Sequence, residues 1–262
     1  NLEEINLETI LTDSIRYRLI ADVPIGTYNS GGVDSSLISQ MVKNLKPGGL
    51  HTFSVGFDEA AYDESNYADV VSKKIGSTHH KLTIGSQEYA DALPQAIWFN
   101  DEPLHHAHTI QLMKLSALAK KHVTVVLTGE GADELFAGYP RYQIPVISKW
   151  FNRVPRPLVR TLYHLTRIAG RRRLMKLFEL AGNNESSVSN QSRFVPEAVI
   201  SSLGLDFTPG KFRSDLLSHA LSLPLSHLEQ ILIFDRSSYM PSLLQRLDRT
   251  TMANGLEARV PF

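Results

Sequence analysis

The sequence predicts an α/β fold, a mostly parallel sheet sandwiched by helices and followed by a mainly helical C-terminal half. Three observations carry this. Short apolar runs alternate with stretches of helical periodicity from residue 1 to 140, the pattern of parallel strands joined by helices. Glycine and proline punctuate the joins. Beyond Tyr139 the strand signals fade, and helical periodicity with scattered prolines takes over.

Each element follows in order. Leu7, Ile10, Leu11, Ile15 and Leu19 recur at helical spacing, so 7–20 is predicted as an amphipathic helix. Val23 to Tyr28 is strand-like; Ser30, Gly31 and Gly32 make a turn, and a helix runs from Ser35 to about Leu45, stopped by Lys46-Pro47-Gly48-Gly49. A strand at Leu50–Val55, a helix at Glu64–Ile75 ended by Gly76, and a strand at His79–Ile84 come next. Helices at Gln87–Phe99 and Thr109–Lys121 lead to a strongly apolar fourth strand, Val123–Thr128. Residues 141–262 read as helical, with an Asn- and Ser-rich loop between Gly182 and Ser192. Residues 1–140 form the expected α/β part and 141–262 the helical part, with no long linker between them.

Hydrophobic residues make up 42% and charged residues 21%, a globular balance that excludes a disordered or collagenous chain. No apolar run approaches the roughly 18 residues of a membrane span, so a cytoplasmic protein is the expectation. The absence of cysteine excludes disulfides, zinc ribbons, iron–sulfur clusters and thiol nucleophiles. Lysine and arginine number 27 and so do the acids, yet residues 1–140 hold ten basic against eighteen acidic side chains and 141–200 hold eleven against three. Neutrality is a cancellation between regions. It disfavours nucleic-acid binding by the whole chain and leaves one local basic surface, at Arg171, Arg172, Arg173 and Lys176.

The sharpest local signal is Ser30-Gly31-Gly32-Val33-Asp34-Ser35-Ser36, between a predicted strand and a predicted helix. Two glycines let backbone approach an anion, and the helix start offers unpaired N–H groups and the positive end of its dipole. The loop lacks the Gly-Lys-Ser/Thr ending of a Walker A motif and the spacing of a dinucleotide fold. With no lysine present, charge compensation falls to a metal, and Asp34 is placed to hold one. A plain strand-to-helix turn with serine caps accounts for the same spacing.

The segment resembles the S-G-G-x-D-S pyrophosphate loop of the N-type ATP pyrophosphatases. A second run, Thr128-Gly129-Glu130-Gly131-Ala132-Asp133-Glu134 to Gly138-Tyr139, resembles the S-G-E-G-x-D-E-x-x-x-G-Y signature of glutamine-hydrolysing asparagine synthetases, with Thr128 in place of serine. A third, Leu247-Asp248-Arg249-Thr250-Thr251-Met252 through Glu257-Ala258-Arg259-Val260-Pro261-Phe262, is similar to that family's V-D-R-x-S-M and E-x-R-x-P-F segment. Together they cover nearly the whole chain.

The resemblance implies an adenine-nucleotide α-hydrolase-like fold of PP-loop type, with ATP and Mg²⁺ as cofactors and aspartate and ammonia as substrates. The aspartate side chain would be adenylated with release of pyrophosphate, and ammonia would displace AMP. It implies that Ser30, Gly31, Gly32, Ser35 and Ser36 cradle pyrophosphate and that Asp34 and Asp133 hold Mg²⁺ through it, oxygen ligands suiting that hard cation. Main chain at Tyr28, Val55, Thr128 and Gly129 would line the adenosine. Val55 also reads as ordinary strand core. Glu130 would orient ammonia and accept its proton, or serve only as a carboxylate at a helix N-terminus. Glu134, Tyr139, Asp248, Arg249, Glu257 and Arg259 are candidates for aspartate recognition, each readable equally as an ion-pair or core residue.

His105, His106, His108, His79 and His80 carry no HExxH or Cys/His spacing, so no zinc site is expected of them. The family's whole enzyme also carries a glutaminase domain with a nucleophilic cysteine and, past the V-P-F segment, a lysine; neither has a counterpart here. These 262 residues alone are therefore expected to bind ATP with Mg²⁺ and to turn over poorly. A homodimer is one assembly the resemblance allows. The rival expectations are a β-lactam synthetase-like ligase using another carboxylate, a tRNA-modifying relative, and a non-catalytic ATP-binding subunit.

Overall fold

The computed structural model describes residues 6–59, 63, 65–143, 155–171, 174, 197–205 and 210–262. The expected loop at 182–192, and Arg172, Arg173 and Lys176, lie outside the described residues. The chain forms two compact units, Asn1–Ala132 with Leu243–Phe262, and Asp133–Ser242.

The first unit is built on a five-stranded sheet in the order β3-β2-β1-β4-β5, every pair parallel. The strands are β1 (Ile25–Tyr28), β2 (His51–Phe57), β3 (Thr78–Ile84), β4 (Val125–Leu127) and β5 (Glu257–Arg259). The helices are α1 (Leu7–Arg18), α2 (Val33–Leu45), α3 (Ser65–Ile75), α4 (Ser86–Asn100) and α5 (His108–Lys120), joined by the C-terminal part of α11 (Met240–Met252). This is the expected α/β fold. Alternation along the strands divides the core. Ile25, Val125 and Leu127 face α1, α2 and α3 through Leu11, Ile15, Ile38, Val42 and Ile75. Tyr28, Phe53 and Val126 face Leu115 and Ala119 of α5 and Leu247 of α11. Burying each large aliphatic side chain contributes roughly 1.5–3 kcal/mol, which is what holds helices on both faces.

Three details depart from the sequence expectations. In α1 only Leu11 and Ile15 are buried; Leu7 and Ile10 are exposed, so the predicted apolar face is used over its second half alone. Helix α2 begins at Val33 rather than Ser35, because extended Gly32 (φ −69°, ψ 163°) is its N-cap and no side chain caps it. Residues 257–259, read as part of a helical region, form the edge strand β5 in register with β4 (Val125↔Glu257, Leu127↔Arg259). Glu-Ala-Arg is too short and too charged to show strand alternation. The free edge of β4 supplies the pairing instead.

The described residues of the second unit are mainly helical. It holds most of α6 (Ala132–Phe136), a 3-10 turn at Pro140–Tyr142, then α7 (Arg156–Ile168), α8 (Glu197–Ser202), α9 (Lys211–Ser222) and α10 (His227–Ser238). Tyr142, Ala220, Ile231 and Phe234 form its core. Buried Asp235 accepts hydrogen bonds from Arg141 (3.0 Å) and the Tyr142 hydroxyl (2.8 Å), so this charge is paired inside the unit. A capping box between Ser226 and Glu229 starts α10. Among the described residues no helix is long and apolar enough to cross a membrane.

Candidate functional site

The strand order fixes where a ligand can bind. From β1 the chain steps outward to β2 and β3, then returns to lay β4 on the other side of β1. The connections leaving the C-terminal ends of β1 and β4 therefore diverge, and in open parallel sheets such a switch point opens a crevice. The two glycine motifs are the segments that leave those two ends.

After β1, Asn29 is buried and ties the loop down. Its amide nitrogen donates to the Ala68 carbonyl (3.2 Å) and Ser72 Oγ (3.0 Å), while its carbonyl accepts from Gly31 N–H (3.1 Å). Gly31 sits at φ +81°, and a Cβ there would lie 2.5 Å from backbone atoms of Tyr67 and Ala68. Only glycine fits. The Ser30 and Ser35 hydroxyls lie 3.0 Å apart, and Ser30 N–H donates to Ser35 Oγ. The serines thus brace the loop across its mouth instead of capping the helix, which separates this geometry from a serine-capped turn. Ser36 Oγ is buried with no hydrogen-bond partner among the described residues, and Tyr28 Oη likewise.

After β4, Thr128 is buried and its hydroxyl accepts from Glu130 N–H (3.2 Å). A Cβ on Gly129 would come within 2.9 Å of Ser35 N and 3.1 Å of Asp34 Cβ. The second motif thus lies in backbone contact with the first turn of α2, nearly a hundred positions earlier in the sequence. Gly131 takes φ +93°, which turns the chain into α6. Asp34 stands in that first turn of α2. Burial pushes its carboxyl above the usual carboxylate range, its own backbone N–H partly offsetting this. A cation beside Asp34 would favour the charged form, so its position fits a metal ligand. Val55 is half-buried near the end of β2, beside Leu82 of β3, and is neither closed core nor free surface.

Glu130 accepts a hydrogen bond from Arg246 of α11 at 3.0 Å. The Arg246 side chain is only 6% exposed and the Glu130 side chain 24%, so the carboxylate is held by a buried guanidinium and keeps one side open. Arg246 is absent from the sequence-derived candidates, because the matching C-terminal run starts one residue later, at Leu247. His106 lies close by, and burial, with Arg246 adding to it, pushes its imidazole down to about 4.

The remaining candidates divide. Asp248 is exposed on α11, and Arg249 reaches Glu102 at 4.0 Å. Arg259 donates to both Glu257 carboxylate oxygens and to the carbonyls of Arg18 and Ile20 (2.8 Å each), which ties β5 to the end of α1. Asp133, Glu134 and Tyr139 belong to the second unit. There Glu134 is buried and accepts from the Tyr139 hydroxyl at 2.6 Å, and burial with this bond pushes the phenol well above its usual range. A Cβ on Gly138 would overlap the Asp133 carboxylate, which explains a glycine five residues past that aspartate.

A parallel α/β domain with two glycine loops meeting at its switch point is the architecture of a PP-loop-type domain. Residues 6–262 match the family described as asparagine synthase. The chain belongs to the asparagine synthase family. It is 34% identical over 255 residues to asparagine synthetase [glutamine-hydrolyzing] 1 of Bacillus subtilis, covering 95% of this chain and 40% of that protein. A putative asparagine synthetase [glutamine-hydrolyzing] of Mycobacterium bovis is 32% identical over 263 residues, covering 98% and 40%. An amidase of Penicillium rubens, chyE, is 32% identical over 154 residues, covering 53% and 23%. The chain thus spans about 40% of the length of the asparagine synthetases it matches.

Proposed function

We propose that this chain is the amide-forming part of an ATP-dependent asparagine-producing ligase. The observation that carries the reading is the backbone contact between Gly129 and the Asp34–Ser35 turn, which joins two glycine loops at the crevice of the sheet. Membership of the asparagine synthase family supports it. Backbone N–H groups of the first loop and the Ser36 hydroxyl, which lacks a partner among the described residues, suit the oxygens of a pyrophosphate. Mg²⁺, when bound, neutralises charge on the departing pyrophosphate. Asp34 is proposed to hold it, with Asp133 retained as a second ligand on the sequence pattern alone.

In the proposed first step an oxygen of the aspartate β-carboxylate attacks the α-phosphorus of ATP, and the bond to the β-phosphate oxygen breaks, giving β-aspartyl-AMP and pyrophosphate. In the second, the ammonia nitrogen attacks the acyl carbon and AMP leaves with the electron pair of the cleaved C–O bond. Glu130 orients the ammonia and takes the proton released from nitrogen. Arg246 orients the Glu130 carboxylate for that task. The names of the bacterial relatives support glutamine as the ammonia source in the whole protein, through a glutaminase domain.

The test is pyrophosphate release by the full-length protein with a panel of carboxylates. Dependence on aspartate, with ammonia or glutamine required for asparagine, is expected. Glu130→Ala should keep aspartate-dependent pyrophosphate formation and lose amide formation; normal ammonia-dependent synthesis in that variant removes Glu130 from the mechanism. Adenylation of a different carboxylate is the second reading; fungal proteins named amidases match about half of the chain. Pyrophosphate release on another acid and none on aspartate would select it.

A further inference from the structure

We propose that His51, His80 and His122 bind one zinc-class divalent transition-metal ion, at the end of the sheet opposite the glycine loops. One ring nitrogen from each of the three lies within 4.8 Å of the others. His51 opens β2, and His80 is the third residue of β3, where its register partner is Phe53. His122 lies in the connection from α5 to β4. All three therefore sit at the N-terminal ends of parallel strands, whereas the proposed nucleotide loops leave the C-terminal ends of β1 and β4. The cluster is a separate place on the same unit.

Its geometry is near to what a metal needs. His51 Nδ1 and His80 Nε2 are 2.9 Å apart, and the rings of His80 and His122 stack with centroids 3.8 Å apart. Zinc–nitrogen bonds of about 2.0–2.1 Å in a tetrahedron place ligand nitrogens roughly 3.4 Å from one another. The rings, stacked within 26° of parallel, turn on binding so that their in-plane lone pairs converge on the ion. Coordination through the two bonded nitrogens moves the shared proton to the other nitrogen of its ring.

The surroundings suit a cation with one open position. His122 is exposed, leaving room for a water as fourth ligand, and its backbone N–H donates to the Ala119 carbonyl at the negative end of α5. The Phe53 ring stacks on His80 at 5.1 Å and walls the other side. Imidazole sets of this kind select zinc, copper or nickel over magnesium, so the ion is distinct from the one proposed at Asp34. His79 takes no part: strand alternation turns it to the opposite face, among Thr52, Ser54 and Ser72.

The experiment is a zinc titration of purified, chelator-stripped full-length protein by competition with a chromophoric indicator, with Co²⁺ absorption as the report on geometry. The triple variant His51→Asn, His80→Asn, His122→Asn sets the background for any other metal in the protein. One zinc per chain above that background is expected, with a tetrahedral Co²⁺ spectrum. His80→Asn and the surface variant His122→Ala should each weaken binding by about tenfold or more, and His164→Ala, on α7, should not. Circular dichroism confirms that the variants are folded. No zinc beyond the triple-variant background, or affinity unchanged in both H80N and H122A, overturns the proposal.

Discussion

Arg246 Nη2 lies 3.0 Å from Glu130 Oε1, joining the C-terminal helix to the loop after β4 across 116 positions of sequence. Truncating the arginine would remove a 3.0 Å charged hydrogen bond from a half-buried carboxylate. Arg246→Met is therefore expected to lower stability by up to about 3 kcal/mol, less than for a fully enclosed pair because Glu130 stays partly open to water. It should also lower amide formation more than tenfold while sparing pyrophosphate release, with partial recovery in Arg246→Lys. Denaturant unfolding and the two product assays separate these effects.

Gly31 and Gly76 both sit at positive φ, +81° and +65°, but only Gly31 has backbone pressed against it. Gly76→Ala should cost about 1 kcal/mol from backbone conformation alone. Gly31→Ala should cost at least twice that, because Tyr67 and Ala68 must move. Equal losses in urea unfolding would disprove the crowding.

Buried His106 is held down to about 4 against an ordinary value near 6.5, so the folded state binds the proton more weakly than the unfolded chain. The unfolded state then carries more protons between these values. Stability contributed by neutral His106 is full above about pH 6.5 and is lost as pH falls toward 4, by at most roughly 3 kcal/mol. His106→Asn should flatten that dependence, read as urea midpoints at pH 7, 5.5 and 4.5 in both proteins.

Arg259 holds β5 in place through two backbone carbonyls, and its own carbonyl accepts Thr128 N–H at 3.1 Å. Arg259→Met should loosen the sheet edge at a cost of about 1–2 kcal/mol. Faster amide exchange at Thr128 and at 257–259 in mass spectrometry is the expected sign. Catalysis should fall less than in Arg246→Met.

The alternation of strands and helices up to Thr128 was readable because each of the first four strands lies near glycine, proline or a strong apolar run. β5 was not, since three residues with two charges become a strand only when an edge is offered. Both glycine loops were legible as motifs, but their contact through Gly129 is a property of β1 and β4 being neighbours. Arg246 escaped because its partner is distant in sequence. Pairing His79 with His80 followed spacing along the chain, whereas a strand sends adjacent side chains to opposite faces. His80 keeps company instead with His51 and His122, separated from it by 29 and 42 positions.

The parallel bond between β4 and β5 has a consequence for how the chain is made. More than a hundred residues, enough for the whole helical unit, are synthesised after β4 before its outer neighbour exists. Until then β4 lacks its β5 neighbour, and Glu130 lacks the hydrogen bond from Arg246. Pairing of the outer edge of β4 and arming of the carboxylate are thus both postponed until more than a hundred further residues have been made, by one loop closure of high entropic cost.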